Sequence, residues 1–316
     1  MRTATGAGAA VAAIDVGGTS IKGVLMRRDG RELARHVTPT PVGEGDEALV
    51  ETVAAAVAAL SEAASCPPQA IGLVLAGLID TTTGTVRFSA NIGLDETPIR
   101  SLLTARTGIP VAVDHDGRAA ALAEATSGAA SSVGEALVLT LGTGIAGAVI
   151  TAGQIVIGSL GMAGEIGHMP VMPDGDQCAC GQHGCAEAYA SASSLTRRYA
   201  AQGGAAGTSA TELFGLWQQG DALAGVVIQE AITALGRALV SYTVVMDPAR
   251  IVIGGGMSAA GDVLLDPLRR EVASGLAWRG APDIVPAHFG PDAGCCGAAL
   301  IAWGAIPAST RGGRDA

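Results

Sequence analysis

One histidine and three cysteines lie close enough in the sequence to form a metal site. His168 is followed by Cys178, Cys180 and Cys185. Together they offer one imidazole and three thiolates, the ligand set of a closed tetrahedral Cys₃His zinc site. Because four protein ligands leave no open position for a metal-bound water, we expect this zinc to be structural.

Two other uses of these cysteines are disfavoured. A disulfide knot does not suit a reducing compartment, and a nucleophilic cysteine needs a partner base rather than two further thiols. We expect the zinc to hold the nearby Glu165 and Glu187 in place. The remaining three cysteines have no His or Cys in their neighbourhood and are predicted to be ordinary buried thiols: Cys66, Cys295 and Cys296.

A glycine turn near the N-terminus could bind phosphate. An apolar strand ends at Asp15, the chain turns through Gly17 and Gly18, and Thr19 opens a second strand that carries Lys22. Glycines let backbone N–H groups approach an anion closely, while the hydroxyl and the ammonium add a donor and a charge. An ordinary turn between two strands is the alternative.

A second glycine turn contains a literal GxGxxG at Gly142, Gly144 and Gly147, with Glu165 at the spacing of a dinucleotide site. A dinucleotide fingerprint must open a helix, whereas the following segment alternates like a β-hairpin. We therefore interpret this turn as a second phosphate site with Thr143 as a donor.

A third cluster, Gly254, Gly255 and Gly256, follows a buried strand and precedes a helix. It could let a nucleotide base or ribose lie against the backbone, although close strand–helix packing would also explain it. The chain has no GxxxxGK[ST] motif, which disfavours the P-loop class.

The segment around Asp116 places a carboxylate where a short strand ends and a helix begins. A carboxylate there either caps the helix or acts as a general base that takes the proton of a substrate hydroxyl. The neighbouring His115 and Arg118 are either substrate contacts or plain surface groups.

These motifs must be positioned by the elements around them, and the order of elements is that of an α/β protein. Strand-like apolar runs alternate with helix-period segments, including long helices around 47–64 and 222–246. We predict two related α/β lobes with a cleft between them. The first lobe is placed at 10–115, with a C-terminal helix at 294–312 packing back on it, and the second at 116–293.

Composition narrows the class of protein. The chain has 316 residues, 49% of them hydrophobic and 15% charged, and a formal net charge of −10. These values indicate a globular protein that binds a small molecule rather than nucleic acid or an anionic membrane. No apolar run reaches the length of a signal peptide or a membrane span, so we expect a cytoplasmic protein.

Taken together, the motifs resemble the ROK family of bacterial sugar kinases and sugar-responsive repressors. The resemblance runs from about Ala13 to Trp303 and rests on "DVGGT", "LGTG", "GEIGH" and "CACGQHGCAEAYAS" in the family's order. It implies two actin-like (ribonuclease H-like) ATPase lobes that bind sugar and ATP with Mg²⁺, assembled as a homodimer or homotetramer.

The resemblance also implies roles for single residues. Asp116 matches the catalytic base for a hexose hydroxyl, usually O6. Sugar ligands are implied at Asn91, Glu165, His168 and Glu187, with His168 offering its other nitrogen to zinc. The binding site for ATP is implied to include Asp15. Its phosphate-binding residues are implied to be Gly17, Gly18, Thr19, Lys22, Gly142, Thr143 and Gly144, and its nucleoside wall Gly254, Gly255 and Gly256.

The chain departs from the family where many kinases have "NDANAAAL" and this sequence has "HDGRAAAL". His115 stands where an Asn would contact the sugar, so His115 becomes a candidate substrate ligand and the sugar preference is open. Versions with HD-x-R also resemble the repressors. Repressors need a DNA-binding domain of ~60 residues before the first lobe, and about ten residues precede the first strand here.

We therefore expect an ATP-dependent, glucokinase-like hexose kinase with a structural zinc. A sugar-binding regulator without turnover, an N-acylhexosamine kinase and a polyphosphate-dependent enzyme remain as alternatives.

Overall fold

The computed structural model describes residues 9–306 and divides the chain into two compact units. The first unit contains the described residues up to Ala123 and those from Asp292 onward, and the second is Glu124–Pro291. This division falls inside a helix that begins at Asp116, whereas the sequence placed it at the start of that helix. Each unit has its own five-stranded mixed sheet, which matches the expected α/β class.

The first unit is built on a sheet in the order β3-β2-β1-β4-β8. Its strands are β1 (Ala10–Val16), β2 (Ser20–Arg27), β3 (Glu32–Pro39), β4 (Ile71–Leu75) and β8 (Val111–His115). Three short strands form a separate antiparallel sheet: β5 (Leu78–Asp80), β6 (Thr85–Ser89) and β7 (Leu94–Thr97). The turn between β6 and β7 carries Asn91.

The helices of this part of the chain are α1 (Asp46–Ala64), α2 (Ile99–Thr107) and α3 (Asp116–Ser127). Strands β1, β4 and β8 run parallel, and every residue of β4 is buried. Parallel strands covered on both faces have such continuous apolar sequences. β1 and β2 form the antiparallel hairpin predicted around Gly17 and Gly18, with Asp15 opposite Lys22.

The second unit has a sheet in the order β11-β10-β9-β12-β13. The strands are β9 (Ala136–Leu141), β10 (Ile145–Thr151), β11 (Gln154–Ile155), β12 (Arg250–Gly254) and β13 (Asp283–Pro286). β9, β10 and β11 are antiparallel neighbours. The predicted hairpin after Gly147 is therefore confirmed, and the GxGxxG at this turn opens a strand rather than a helix.

The helices of the second unit are α4 (Glu187–Ala190), α5 (Ala192–Ala201), α6 (Ala210–Gln218), α7 (Ala222–Met246) and α8 (Asp262–Ser274). α7 is long and apolar enough to cross a membrane by length and composition alone, and 56% of its most apolar window is buried. Its inward residues, among them Ile228, Leu235 and Leu239, form the centre of the core of this unit.

The last helix, α9 (Ala293–Ala305), returns to the first unit and contacts β1, β4 and β8. Of the helix expected at 294–312, the structure has the part up to Ala305, since Ile306 has extended backbone, and the positions after 306 lie outside the described residues. The side of α9 that faces the sheet carries small residues, and two of them, Ala298 and Ala302, are completely buried. Because these side chains are small, the helix lies close against the sheet.

Candidate active site and metal centre

In the first unit, the strand-to-helix junction of β8 and α3 presents Asp116. The residue is the first of α3, and its side chain is 37% exposed. Its Oδ1 accepts a hydrogen bond of 2.7 Å from the backbone N–H of Gly117 and lies 3.2 Å from Nδ1 of His115. Asp116 is thus an accessible carboxylate with one oxygen anchored, which suits a general base.

Arg118 was expected to be either a substrate contact or a surface group, and the structure shows a third arrangement. It is buried, and its Nη2 lies 2.7 Å from Oδ1 of Asp114, to which Nε also donates at 2.8 Å. The same Oδ1 accepts the backbone N–H of His115 at 2.7 Å. The ion pair therefore fixes the backbone on the N-terminal side of Asp116. Neither hypothesis from the sequence included this role for Arg118.

The glycine hairpin of the first unit is exposed at Gly17, Gly18 and Thr19. The Gly17 N–H donates to the Ser20 carbonyl at 3.0 Å, and the Thr40 hydroxyl donates to the Gly17 carbonyl at 2.6 Å. These bonds hold the turn in one conformation with its tip open to solvent. A Cβ on Gly18 would lie 3.9 Å from Asn91, so the turn is also close to the predicted sugar ligand of this unit.

Asp15, at the end of β1 beside this hairpin, has a raised pKa. The pKa of Asp15 is raised to about 6, chiefly by burial and also by the negative charge of Asp116, while the positive charge of Lys22 lowers it in part. Two carboxylates with one ammonium for compensation form a donor set that fits a divalent cation, since Mg²⁺ is bound by one or two carboxylates together with phosphate oxygens.

In the second unit, Glu187 lies against the second glycine turn. Its Oε2 accepts the backbone N–H of Ile145 at 2.7 Å. A Cβ on Gly144 would stand 2.8 Å from that oxygen, so a larger residue there would displace the carboxylate from its present position. The turn is further fixed by Ser193, whose hydroxyl donates to the Thr143 carbonyl, and Glu187 lines a cavity of about 600 Å³ beside α5.

Glu165 directly precedes a single 3₁₀ turn, Ile166–His168, and His168 is the last residue of that turn. The His168 N–H donates to the Glu165 carbonyl at 3.1 Å, which brings the two residues together on one turn. Gly167 of that turn packs against Ile145 and Glu187. The three sugar ligands predicted in the second unit are therefore grouped on two short neighbouring elements.

The third glycine cluster lies beside the second. Gly255 has φ +78°, and a Cβ there would be 2.5 Å from the Leu141 carbonyl oxygen. Leu141 directly precedes Gly142, so the ends of the neighbouring strands β9 and β12 bring both glycine clusters to one edge of the sheet. Gly254 and Gly256 complete the cluster on either side.

The four predicted metal ligands come together. The ligand atoms of His168, Cys178, Cys180 and Cys185 all lie within 4.8 Å of one another. The Cys180 and Cys185 sulfurs are 3.7 Å apart, as are the Cys178 sulfur and Nδ1 of His168. Zn–S bonds of about 2.3 Å in a tetrahedron place two sulfurs about 3.8 Å apart, so the cluster fits zinc.

The pKa values of the three thiols show how much negative charge this cluster can hold without a cation. Burial raises the pKa of Cys178, and burial with hydrogen bonds to the neighbouring cysteines raises that of Cys185 to about 12, whereas the pKa of Cys180 is lowered because hydrogen bonds outweigh its burial. Three thiolates in this space therefore need a compensating positive charge. The other three cysteines were predicted to be buried. Cys66 and Cys295 are buried as predicted, whereas Cys296 is half-buried.

A second support of the metal loop, residues 174–185, was not predicted. Arg198 of α5 is almost buried, forms ion pairs with Asp176 and with Glu230 of α7, and lies 4.4 Å over the Tyr189 ring. The Tyr189 hydroxyl accepts the Asp176 N–H at 2.7 Å. These partners are 22 and 32 residues from Arg198, beyond any local sequence pattern.

Comparison with known proteins places this geometry in a family. The model of the ROK family matches residues 11–304, and the chain belongs to that family. A glucokinase of Thermotoga maritima is 34% identical over 304 residues, covering 91% of this chain and 95% of the relative. An N-acetylmannosamine kinase of Escherichia fergusonii is 34% identical over 92% of this chain and 98% of its own length.

Among solved structures, a ROK family glucokinase of Streptomyces griseus in complex with glucose and AMPPNP superposes with a TM-score of 0.81. It is 32% identical and covers 93% of this chain and 99% of its own. The fold is accordingly that of the ROK kinases, the actin-like ATPase fold expected from the sequence.

Proposed function

We propose that the protein is an ATP-dependent hexose kinase that phosphorylates glucose at O6. The observation that carries this proposal is Asp116, an accessible carboxylate anchored through one oxygen at the strand-to-helix junction. The glucokinase relatives, similar along more than nine-tenths of the chain, support the same activity.

In this reaction Asp116 takes the proton of the 6-hydroxyl as the oxygen attacks the γ-phosphorus of ATP. The new O–P bond forms while the bond from phosphorus to the leaving ADP oxygen breaks, and the proton remains on the Asp116 carboxyl. Such transfers depend on alignment of the two oxygens and on neutralising the charge of the phosphoryl group.

The proposed sugar ligands are the side chains of Glu165, His168 and Glu187 in the second unit and Asn91 in the first. Carboxylate, imidazole and amide groups form directional hydrogen bonds and so distinguish epimeric hydroxyls. Since Nδ1 of His168 faces the cysteines, its Nε2 is the nitrogen assigned to the sugar.

The phosphates of ATP are assigned to the glycine turns. In the first unit these are Gly17, Gly18 and Thr19 with Lys22, and in the second unit they are Gly142, Thr143 and Gly144. Gly254, Gly255 and Gly256 are assigned to the nucleoside. Asp15 is the carboxylate proposed to hold Mg²⁺, which would neutralise phosphate charge.

Zinc is the proposed occupant of the cluster formed by His168, Cys178, Cys180 and Cys185. With four protein ligands it would act as a structural ion that fixes the turn carrying Glu165 and His168. The protein is further proposed to be cytoplasmic and, by its family resemblance, a homodimer or homotetramer.

N-acetylmannosamine is the second candidate substrate, because one relative of that activity is as similar to this chain as the glucokinase. A coupled assay of ADP formation with Mg·ATP and glucose, N-acetylglucosamine or N-acetylmannosamine separates the candidates. We expect turnover with glucose. Turnover only with an N-acylated sugar would replace the substrate, and sugar binding without ADP formation would indicate a regulator.

A further inference from the structure

The second glycine turn is held by a set of backbone hydrogen bonds, two of which come from the start of α5. The Gly142 N–H donates to the Gly144 carbonyl at 2.9 Å, which closes the turn. The Gly142 carbonyl accepts the Ala192 N–H at 2.8 Å. The Thr143 carbonyl accepts the Ser193 hydroxyl at 2.5 Å. The first turn of α5 therefore holds two consecutive carbonyls of the glycine turn.

The chemistry of the two groups fixes the direction of the Ser193 contact. A carbonyl oxygen can only accept, so the hydrogen in this bond is that of the Ser193 hydroxyl. The Ser191 Oγ also lies 3.2 Å from the Ser193 Oγ. Ser191 does not compete for the Thr143 carbonyl, because its own hydroxyl donates to Ser194 at 2.9 Å. The Ser193 hydrogen is therefore committed to the glycine turn.

Two N–H groups of the turn, those of Thr143 and Gly144, point away from α5. In a trans peptide the N–H points opposite to the carbonyl of the preceding residue, and the described residues contain no cis peptide bond. The Thr143 N–H therefore points away from Ala192, and the Gly144 N–H points away from Ser193. Within the described part of the chain neither N–H has an acceptor. Consecutive N–H groups in a turn can form a concavity that binds anions.

We propose that Ser193 is a positioning residue for the phosphoryl donor: its hydroxyl holds the Thr143 carbonyl and so turns the Gly144 N–H toward a phosphate oxygen of the nucleotide. This inference rests on the proposed kinase function, which assigns the turn to the phosphates of ATP. If this peptide rotated, its carbonyl oxygen would face the phosphate instead, and the two negative groups would repel each other. Ser193 prevents that rotation through its side chain, so a substitution can test the effect.

Nucleotide and sugar affinities of Ser193 variants test this role. Ser193→Ala frees the Thr143 carbonyl, and we expect calorimetry to give an affinity for Mg·AMPPNP that is about 5-fold weaker, with the affinity for glucose changed less than about 2-fold. Ser193→Thr keeps the hydroxyl and should retain the wild-type affinity for Mg·AMPPNP to within about 2-fold. Thr196→Ala removes a hydroxyl further along the same helix and is the control, which should leave both affinities unchanged.

The outcomes separate this inference from the proposed function. In steady-state kinetics the KM for ATP should rise in Ser193→Ala while the KM for glucose is retained. An unchanged affinity for Mg·AMPPNP in Ser193→Ala, or an equal loss in Ser193→Thr, would overturn the role of the hydroxyl. Equal losses of nucleotide and glucose affinity in Ser193→Ala would indicate general damage to the second unit and would overturn it too. A wild-type protein that binds glucose but no Mg·AMPPNP would instead contradict the proposed kinase function.

Discussion

The two units hold their functional carboxylates in different ways. In the first, Asp116 lies where a strand passes directly into a 12-residue helix, and an ion pair with hydrogen bonds to the backbone fixes the junction. In the second, Glu165 directly precedes a turn of three residues, and Glu187 is the first residue of a helix of four. Turns this short have little internal support, so the neighbouring metal loop, with its Arg198 ion pairs and the proposed zinc, is expected to stabilise them.

The comparison shows which parts of a site depend on regular structure and which on cross-links. A long helix brings its own hydrogen-bond ladder to the residue at its start. A single 3₁₀ turn gains most of its order from contacts with other segments. Loss of one cross-link should therefore disturb the second unit more than loss of one ion pair disturbs the first.

The largest expected effect is that of the metal ligands. We expect Cys178→Ser to lose the bound zinc and to bind sugar at least 10-fold more weakly, because the proposed ion would no longer join the turn carrying His168 to the metal loop. Metal analysis of protein purified without chelator, with sugar titrations, measures both. Cys66→Ala, outside the metal loop, should keep its zinc. Absence of zinc from the wild-type protein would contradict the proposal that a metal ion stabilises this part of the second unit.

A smaller effect is expected at the glycines that join two strand ends of the second unit. Gly255→Ala should cost about 3 kcal/mol of unfolding free energy, because it forces a left-handed residue and also a Cβ against the Leu141 carbonyl. Gly256→Ala is the matched control, since its Cβ would meet open space. Equal denaturation midpoints for the two variants would show that the backbone around Leu141 shifts to accommodate a methyl group, and would contradict this prediction.

The smallest effect belongs to the ion pair of the first unit. Arg118→Met leaves Asp114 without its buried partner and should destabilise the protein by about 2 kcal/mol. Arg106→Met removes an ion pair with Glu51 whose side chains are both about half exposed, and its cost should stay within about 1 kcal/mol. If urea denaturation gives the same loss for both, burial of Arg118 contributes nothing to the junction.

The sequence predicted what its local spacing encodes. The glycine hairpin at Gly17, the hairpin after Gly147 and the grouping of Cys178, Cys180 and Cys185 with His168 all depend on residues close in the chain. Short-range turn chemistry and ligand spacing suffice for such features.

The supports around these motifs were missed for two reasons. Arg198 pairs with residues of a distant loop and a distant helix, so no window of the sequence contains the interaction. Asp114 and Arg118 are four residues apart, a spacing typical of an ion pair on a helix. That signal was present, but one partner lies on a strand, where helical spacing is not normally considered.

The central claim is that Asp116 is the base of an ATP-dependent sugar kinase. The most direct test compares glucose-dependent ADP formation by the wild type and by Asp116→Asn, with glucose binding to both followed by calorimetry. We predict turnover by the wild type, a kcat at least ~10²-fold lower in the variant, and retained glucose binding. Near-normal turnover by Asp116→Asn would contradict the account.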